Sequence, residues 1–483
     1  MTADAATAMG APVATSKDLF GHPRGLWYLT FAEAWERFSY YGMNALLVLY
    51  LSKYLLLPGH IEHVAGFGAF KAALDPLYHF LRMLFGQAPA PLVTPIAIGT
   101  AVTAVYTSGV YVTPIIGGLI ADRLIGRTAT VTIGALLMVL GHFLMAFEVS
   151  FVAAILCLFI GVGCFKGNIA SQVGELYPAG DLRRASAYQV YMLGIQIAVI
   201  FAPTVCSFLA GSTWHWGFAC AGFGMLIGLI VYLSGRKYLP PERPRGARAK
   251  VEGESVKLTL RDWFTVAVLV ALLPALALSA IGNQEIFNAY EVWGDAHYNL
   301  NLFGFTLPVP TLISLDAIIS TFMMFGVIAF WKWYGSHRKE PDEIVKILIG
   351  TAISACGPLL LAAGSAVEAA TGQKVSLLWG IGFHLINDIG FSMVFPVGLA
   401  LYSRASPKGL GGLVIGIYYL HLFMANLSTG VLGGMLETMS PTQFWLMHSG
   451  LVALGGAVIL IFALLFHRLL APTPEDVAGA KAD

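Results

Sequence analysis

Glu33-Ala34-Trp35-Glu36-Arg37-Phe38-Ser39-Tyr40-Tyr41-Gly42-Met43 is the stretch that decides how the rest of the chain is read. Two acids and an arginine sit inside an apolar segment long enough to span a bilayer. Each ionised group at the centre of such a span costs at least ~2.5 kcal/mol, so it implies a partner, a watery cavity or a function. Glu33, Glu36, Arg37, Tyr40, Tyr41 and Asn44 share one helical face, and Trp35, Phe38, Ala45 and Leu49 form the opposite, apolar one. A polar stripe aimed into a cavity is the reading. The alternative is a self-neutralising carboxylate–guanidinium cluster that only holds the helix in place.

Composition places that helix in a membrane protein. The 483 residues are 57% hydrophobic and only 11% charged, with a mean hydropathy of +0.74. Soluble domains carry about 25% charged residues. The net charge of +1 gives no basic or acidic tail for nucleic acid. Cys157, Cys164, Cys206, Cys220 and Cys356 lack the spacing of a metal site or a secreted disulfide framework and read as inert thiols. Residues 1–16 carry no cation and no apolar core, so no signal peptide is expected.

Hydrophobic runs of about 20 residues or more read as spans. They fall at 27–56, 95–121, 128–147, 151–177, 186–209, 217–236, 264–291, 306–334, 343–367, 375–402, 411–435 and 442–469, which makes twelve. With the N-terminus cytoplasmic, 22 of the 28 Lys and Arg lie on the cytoplasmic side. That asymmetry predicts a multi-pass protein of the cytoplasmic membrane with both termini inside. The loop 237–262, with Pro240, Pro241 and Pro244 and mixed charges, separates two six-helix bundles at 25–236 and 263–470. Tails at 1–24 and 471–483 flank them. Two six-helix halves joined by a central loop are the layout of the major facilitator fold, whose substrate sites lie near the midplane between the halves. The outer segment 58–94 has apolar residues at helical spacing before Pro89, Pro91 and Pro95, and reads as a surface helix lying against the bundle or the membrane.

The run from Glu33 to Gly42 resembles the signature of the proton-dependent oligopeptide transporter family at each defining position. Gly117-Gly118-Leu119-Ile120-Ala121-Asp122-Arg123-Leu124-Ile125-Gly126 is similar to its second-helix signature, where Asp122, Arg123 and Arg127 are expected to lock or release the inner face. The resemblance puts Lys166, deep in the fourth span, opposite the first-helix acids; the alternative is a snorkelling lysine. Tyr188 to Ala198 and Pro203 follow a further signature, with Gln196 in place of an asparagine and Ala198 in place of a glycine. The second half departs more. Asn283 stands where an acid is expected and Asn44 where an arginine is, so a charge pair has been lost from both ends together. Phe391 replaces the acid before Pro396-Val397-Gly398-Leu399. Asp388, one turn earlier, is the first-choice partner for Lys166, with Asp316 and Glu285 as alternatives.

The resemblance implies a proton-coupled symporter importing dipeptides and tripeptides by alternating access. The proton is the coupling ion and no other cofactor is expected; the carrier is expected to work as a monomer in the lipid bilayer. Glu33, Glu36, Lys166, Asp388 and Asp316 are the candidates for proton coupling. Arg37, Tyr41, Tyr111, Lys166, Gln196, Gln284, Tyr418 and Asn426 are those for substrate, Arg37 and Lys166 meeting the peptide carboxylate. The tyrosines are equally open to a packing role, and His142, His384 and His421 read as packing residues. Two other readings stay open: a facilitator for another small anion or zwitterion, such as nitrate or an amino-acid conjugate, and a transporter-like receptor or scaffold. No Walker loop, metal spacing or elbow serine points to ATP hydrolysis or any other enzyme activity.

Overall fold

The polar stripe lies on the first of fourteen helices in the computed structural model, which describes residues 18–88, 90–178, 181, 183–242, 258–302, 304–407 and 410–470. In chain order they are α1 (Arg24–Tyr50), α2 (Phe67–Leu84), α3 (Pro95–Ile120), α4 (Arg127–Leu144), α5 (Phe151–Glu175), α6 (Arg183–Ala210) and α7 (Trp214–Ser234). Then follow α8 (Leu260–Gln284), α9 (Ala289–His297), α10 (Thr311–His337), α11 (Glu343–Thr371), α12 (Leu377–Ala405), α13 (Gly411–Gly434) and α14 (Pro441–Leu470). Eleven of them are long and apolar enough to cross a membrane on composition alone. The twelfth span is α1, which is 27 residues long and carries Glu33, Glu36 and Arg37. Local chemistry sets several ends: the Thr94 side chain accepts from Ala97 N before Pro95 opens α3, and Thr259 and Asp262 make a reciprocal capping box on α8.

The spans form two bundles of six: α1, α3, α4, α5, α6 and α7, then α8, α10, α11, α12, α13 and α14. We call the face that carries Arg24 and Leu470 proximal and the opposite face distal. Met43, Leu47, Phe151, Leu158 and Phe218 lie in the core of the first bundle, and Leu272, Leu276, Val394 and Leu401 in that of the second. Large apolar side chains such as Phe201, Phe208, Phe322, Phe325 and Leu464 stay exposed, as a lipid-facing belt requires.

The seventh span, read as continuous over 264–291, is broken instead. After α8 comes a short turn at Glu285–Phe287, and Asn288 leaves helical geometry (φ −139°, ψ −115°) before α9 begins. The break turns the Asn288 amide onto neighbouring helices, where Nδ2 donates to Thr100 O at 3.2 Å and to Thr429 Oγ1 at 3.0 Å. The helix read in the 58–94 segment is α2, which buries Leu74, Tyr78 and Leu81.

Distal residues close the bundles on one another. Thr100 Oγ1 donates to Gly430 O at 3.2 Å and Thr204 Oγ1 to Ser314 Oγ at 2.8 Å, and at mid-depth Gln196 Nε2 donates to Thr321 Oγ1 at 3.1 Å. Lys53 pairs with Asp295. Ala45, Val48 and Leu49 of α1 pack with Ile286, Ala289 and Trp293. The α3–α13 seam is tight because Gly430 has no side chain: a Cβ there would meet Ala104 Cβ at 2.7 Å. Nearer the proximal end of the same two helices, Gly118 and Gly416 face open space. The bundles are sealed distally.

Candidate functional site

Helices α1, α3, α5 and α6 bring the first bundle's charges together. Gly42 lets α1 and α6 approach, since a side chain there would collide with Cys206. Arg37 Nε lies 2.5 Å from Glu36 Oε2 and 3.1 Å from Glu33 Oε1, and all three residues are at most 3% exposed. The contacts are close but badly aligned. Glu33 Oε2, both oxygens of Glu36 and Arg37 Nη2 gain no hydrogen bond of good geometry. The guanidinium lies over the Tyr40 ring at 5.2 Å. Tyr41 reaches Arg37, and Tyr191 of α6 reaches Glu33.

Lys166 of α5 forms no ion pair among the described residues. Its ammonium lies 5.0 Å above the ring of Tyr111 and within electrostatic range of Glu36, Glu33 and Arg37. Two acids and two cations make a set that is neutral when all four are ionised. An added carboxylate leaves it one negative charge in excess, and one proton on Glu33 or Glu36 restores the balance. Buried charge is costly unless compensated. A carboxylate and a proton are therefore favoured together.

The remaining predicted residues divide. Gln284 and Asn426 meet each other, Asn426 Nδ2 donating to Gln284 Oε1 at 2.7 Å. Gln196 bridges to Thr321 across the bundle interface. Tyr111 packs with Phe391, Phe395 and Tyr419 on Ala277, Ala280, Leu422 and Ala425, so the two halves touch at mid-depth beside Lys166. Tyr418 corrects the reading. Its hydroxyl donates to Phe395 O at 2.6 Å and its ring is fully buried in the second bundle's core. One residue is about 100° of helix, and it is Tyr419 that packs on the same cluster as Tyr111.

Asp388 corrects it as well: in this conformation it is not beside Lys166. It is buried within reach of Asp316, and the side chains of Asp316, His384 and Asp388 bring their ligand-type atoms within 4.8 Å of one another. His384, read as a packing residue, bonds Asp316 Oδ1 through Nδ1 (2.8 Å) and the Tyr290 hydroxyl through Nε2 (2.9 Å). Both of its nitrogens are thus taken, which leaves none for a metal ion. Glu285 lies instead 3.4 Å from His448.

At the proximal face, Arg127 bonds Asp122 at 3.2 Å and also Glu175, while Arg123 has no ion pair among the described residues. Sequence reasoning missed Glu242. This linker residue accepts from the backbone amides of Arg127 (3.1 Å) and Thr128 (2.7 Å) at the start of α4. Burial opposes its ionisation, but these bonds and the Arg127 charge outweigh it and hold the carboxyl below its ordinary range. Tyr191 was missed too; its place on the α1-facing side of α6 was the available signal.

The sequence profile of the Major Facilitator Superfamily matches residues 29–426. "Uncharacterized transporter YclF" of Bacillus subtilis is 27% identical, with 92% of this chain and 94% of that protein covered. A "Di-/tripeptide transporter" of Lactococcus lactis subsp. cremoris is 26% identical, with 94% and 98% covered. Among solved structures, "peptide transporter POT in complex with sulfate" superposes with a TM-score of 0.78 at 21% identity over 94% of this chain and 97% of that one, a likeness of fold. Twelve spans in two bundles, a charged stripe facing their interface and a profile match over most of the length all agree: the chain belongs to the Major Facilitator Superfamily.

Proposed function

We propose that the protein is a proton-coupled symporter that carries dipeptides and tripeptides by alternating access. The observation that carries this is the buried, imperfectly bonded set of Glu33, Glu36, Arg37 and Lys166, in which a peptide carboxylate, with its ammonium held away from the set, favours the uptake of one proton. A short peptide has a fixed carboxylate at one end whatever its side chains. Arg37 offers that carboxylate a bidentate fork and Lys166 a point charge. Tyr41, Tyr111 and Gln196 stand near the path between the halves, and Gln284 and Asn426 add a buried amide pair. The relatives whose names include di- and tripeptide transport support the substrate class.

In this reading the proximal face is cytoplasmic, because most Lys and Arg fall there. Asp122, Arg127 and Glu175, with Glu242 of the linker, then hold the cytoplasmic ends of α3, α4 and α5. The four charges come from one chain, so a monomer suffices, and the proton is the only coupling agent required.

Competition in proteoliposomes with an imposed pH gradient tests the proposal. Dialanine and trialanine should compete for uptake and free alanine should not, and uptake should collapse when the gradient is dissipated. Preference for nitrate or a free amino acid would point to another facilitator. Binding without uptake would point to a receptor.

A further inference from the structure

We propose a second proton-binding site, in the C-terminal bundle, built from Asp316, His384 and Asp388. This rests on the symporter reading and adds a coupling proton to it. Asp388 is fully buried and Asp316 nearly so, an oxygen of each lies within 4.8 Å of the other and of a His384 nitrogen, and Asp388 Oδ2 is buried without a hydrogen-bond partner. Asn387 Nδ2 gives Asp388 Oδ1 only a long contact of 3.4 Å. Two buried carboxylates this close cannot both be ionised unless a cation compensates them.

Among the described residues of the second bundle's spans, no Lys or Arg lies at that depth. Within α8 and α10 to α14, Arg261, Lys332, Lys346, Arg404 and Arg468 all fall at the proximal ends. The facing groups are Tyr290 on α9, Tyr298 beyond it and Asn387 on α12. Glu285 and His448 pair with each other, and Glu291 of α9 is buried without a hydrogen-bond partner. His384 bonds Asp316 Oδ1 through Nδ1 and the Tyr290 hydroxyl through Nε2, and that hydroxyl lies 3.2 Å from that of Tyr298. A neutral His384 supplies no charge to compensate either carboxylate. A charged His384 would compensate one carboxylate and still leave the other needing a proton. Each protonation state of the histidine demands a proton on the aspartate pair.

The site also lies where the transport cycle reaches it. Asp316 is the sixth residue of α10 from its distal end, two residues after Ser314, which bonds Thr204 of the other bundle, and five before Thr321, which bonds Gln196. Opening this α6–α10 seam exposes the helix that carries Asp316 to the distal solution. Closing it returns the pair to the buried state seen here.

Proton counting on the reconstituted full chain tests the site. Dialanine carries no net charge, so the voltage and pH gradient at which its flux reverses give protons per peptide. The proposal expects at least two in the wild type and one fewer in Asp388→Asn, with thermal unfolding as the check on folding. One proton per peptide in the wild type, or an unchanged count in folded Asp388→Asn, overturns it. Where Asp388→Asn does not fold, infrared spectra of Glu36→Gln replace the count. A protonated-carboxyl C=O band should persist there above neutral pH, and its absence overturns the proposal. Transport lost to a metal chelator overturns it in favour of a bound ion. Absence of any dialanine flux in the wild type is the separate outcome that removes the symporter reading itself.

Discussion

Arg37 Nε lies 2.5 Å from Glu36 Oε2, yet neither oxygen of Glu36 gains a well-aligned hydrogen bond. Contact without alignment makes a pair that gives way when a better acceptor arrives. A peptide carboxylate is such an acceptor, since it offers two oxygens in the plane of the guanidinium fork. Arg37→Lys keeps the charge and removes the fork. Affinity for dialanine should fall about tenfold or more, the ~1.5–3 kcal/mol of a charge-assisted bond, while dialanine amide, already weak, loses less. Competition binding in detergent compares the two; equal losses contradict the assignment.

The distal seal depends on the absence of a side chain at Gly430. Gly430→Leu places its bulk against Ala101 and Ala104, and overpacking of this kind costs about 1–3 kcal/mol. Charged to the distally closed state alone, that moves the equilibrium toward the distally open state by about tenfold. Labelling of Thr204→Cys by a membrane-impermeant thiol reagent should speed up in the Gly430→Leu background. An unchanged rate would show that the seam does not report the gate.

Asn426 and Gln284 share a bond of 2.7 Å deep in the second bundle. Asn426→Leu strands the Gln284 oxygen and should cost about 1–3 kcal/mol, seen as a lower unfolding temperature in detergent. Gln284→Leu together with Asn426→Leu should cost less than the two single losses summed, because both remove one bond. Additive losses would mean that the amides serve separate ends.

Glu242 predicts a pH-dependent latch. Its carboxyl is held below the ordinary range, so its contribution is present above the unfolded value near ~4.3 and fades as the pH falls through the depressed folded value. Because Glu242 is exposed, the effect belongs at the small end of capping energies, about 0.5–1 kcal/mol. Glu242→Gln should unfold at a lower temperature than wild type at pH 7, and the gap should close in acid. A gap that persists below about pH 3 would contradict the latch.

The sequence showed the stripe on α1 because charges in an apolar span have few innocent explanations, and it showed the other eleven spans because hydropathy measures what a bilayer demands. It was blind to what depends on the rotation of one helix against another. Tyr418 and Tyr419 are equally aromatic, and only the packing of α13 against α12 decides that the first is core and the second joins the cluster that Tyr111 packs on. Asp388 shares a face with Phe391, but the meeting of α10 and α12 gives it Asp316 and His384 as company rather than Lys166. The break at Asn288 escaped for another reason: Ile286 and Phe287 keep the hydropathy high across it while the Asn288 amide is engaged elsewhere.

Symport on this site requires that a proton on the α1 acids and a peptide carboxylate on Arg37 be bound together. Glu36→Gln tests it most directly, in proteoliposomes loaded or unloaded with dialanine. With the α1 proton lost, Glu36→Gln should accumulate far less dialanine than wild type under an inward proton gradient but keep exchange of internal for external dialanine, which moves no net proton. Accumulation at the wild-type level in Glu36→Gln would contradict it.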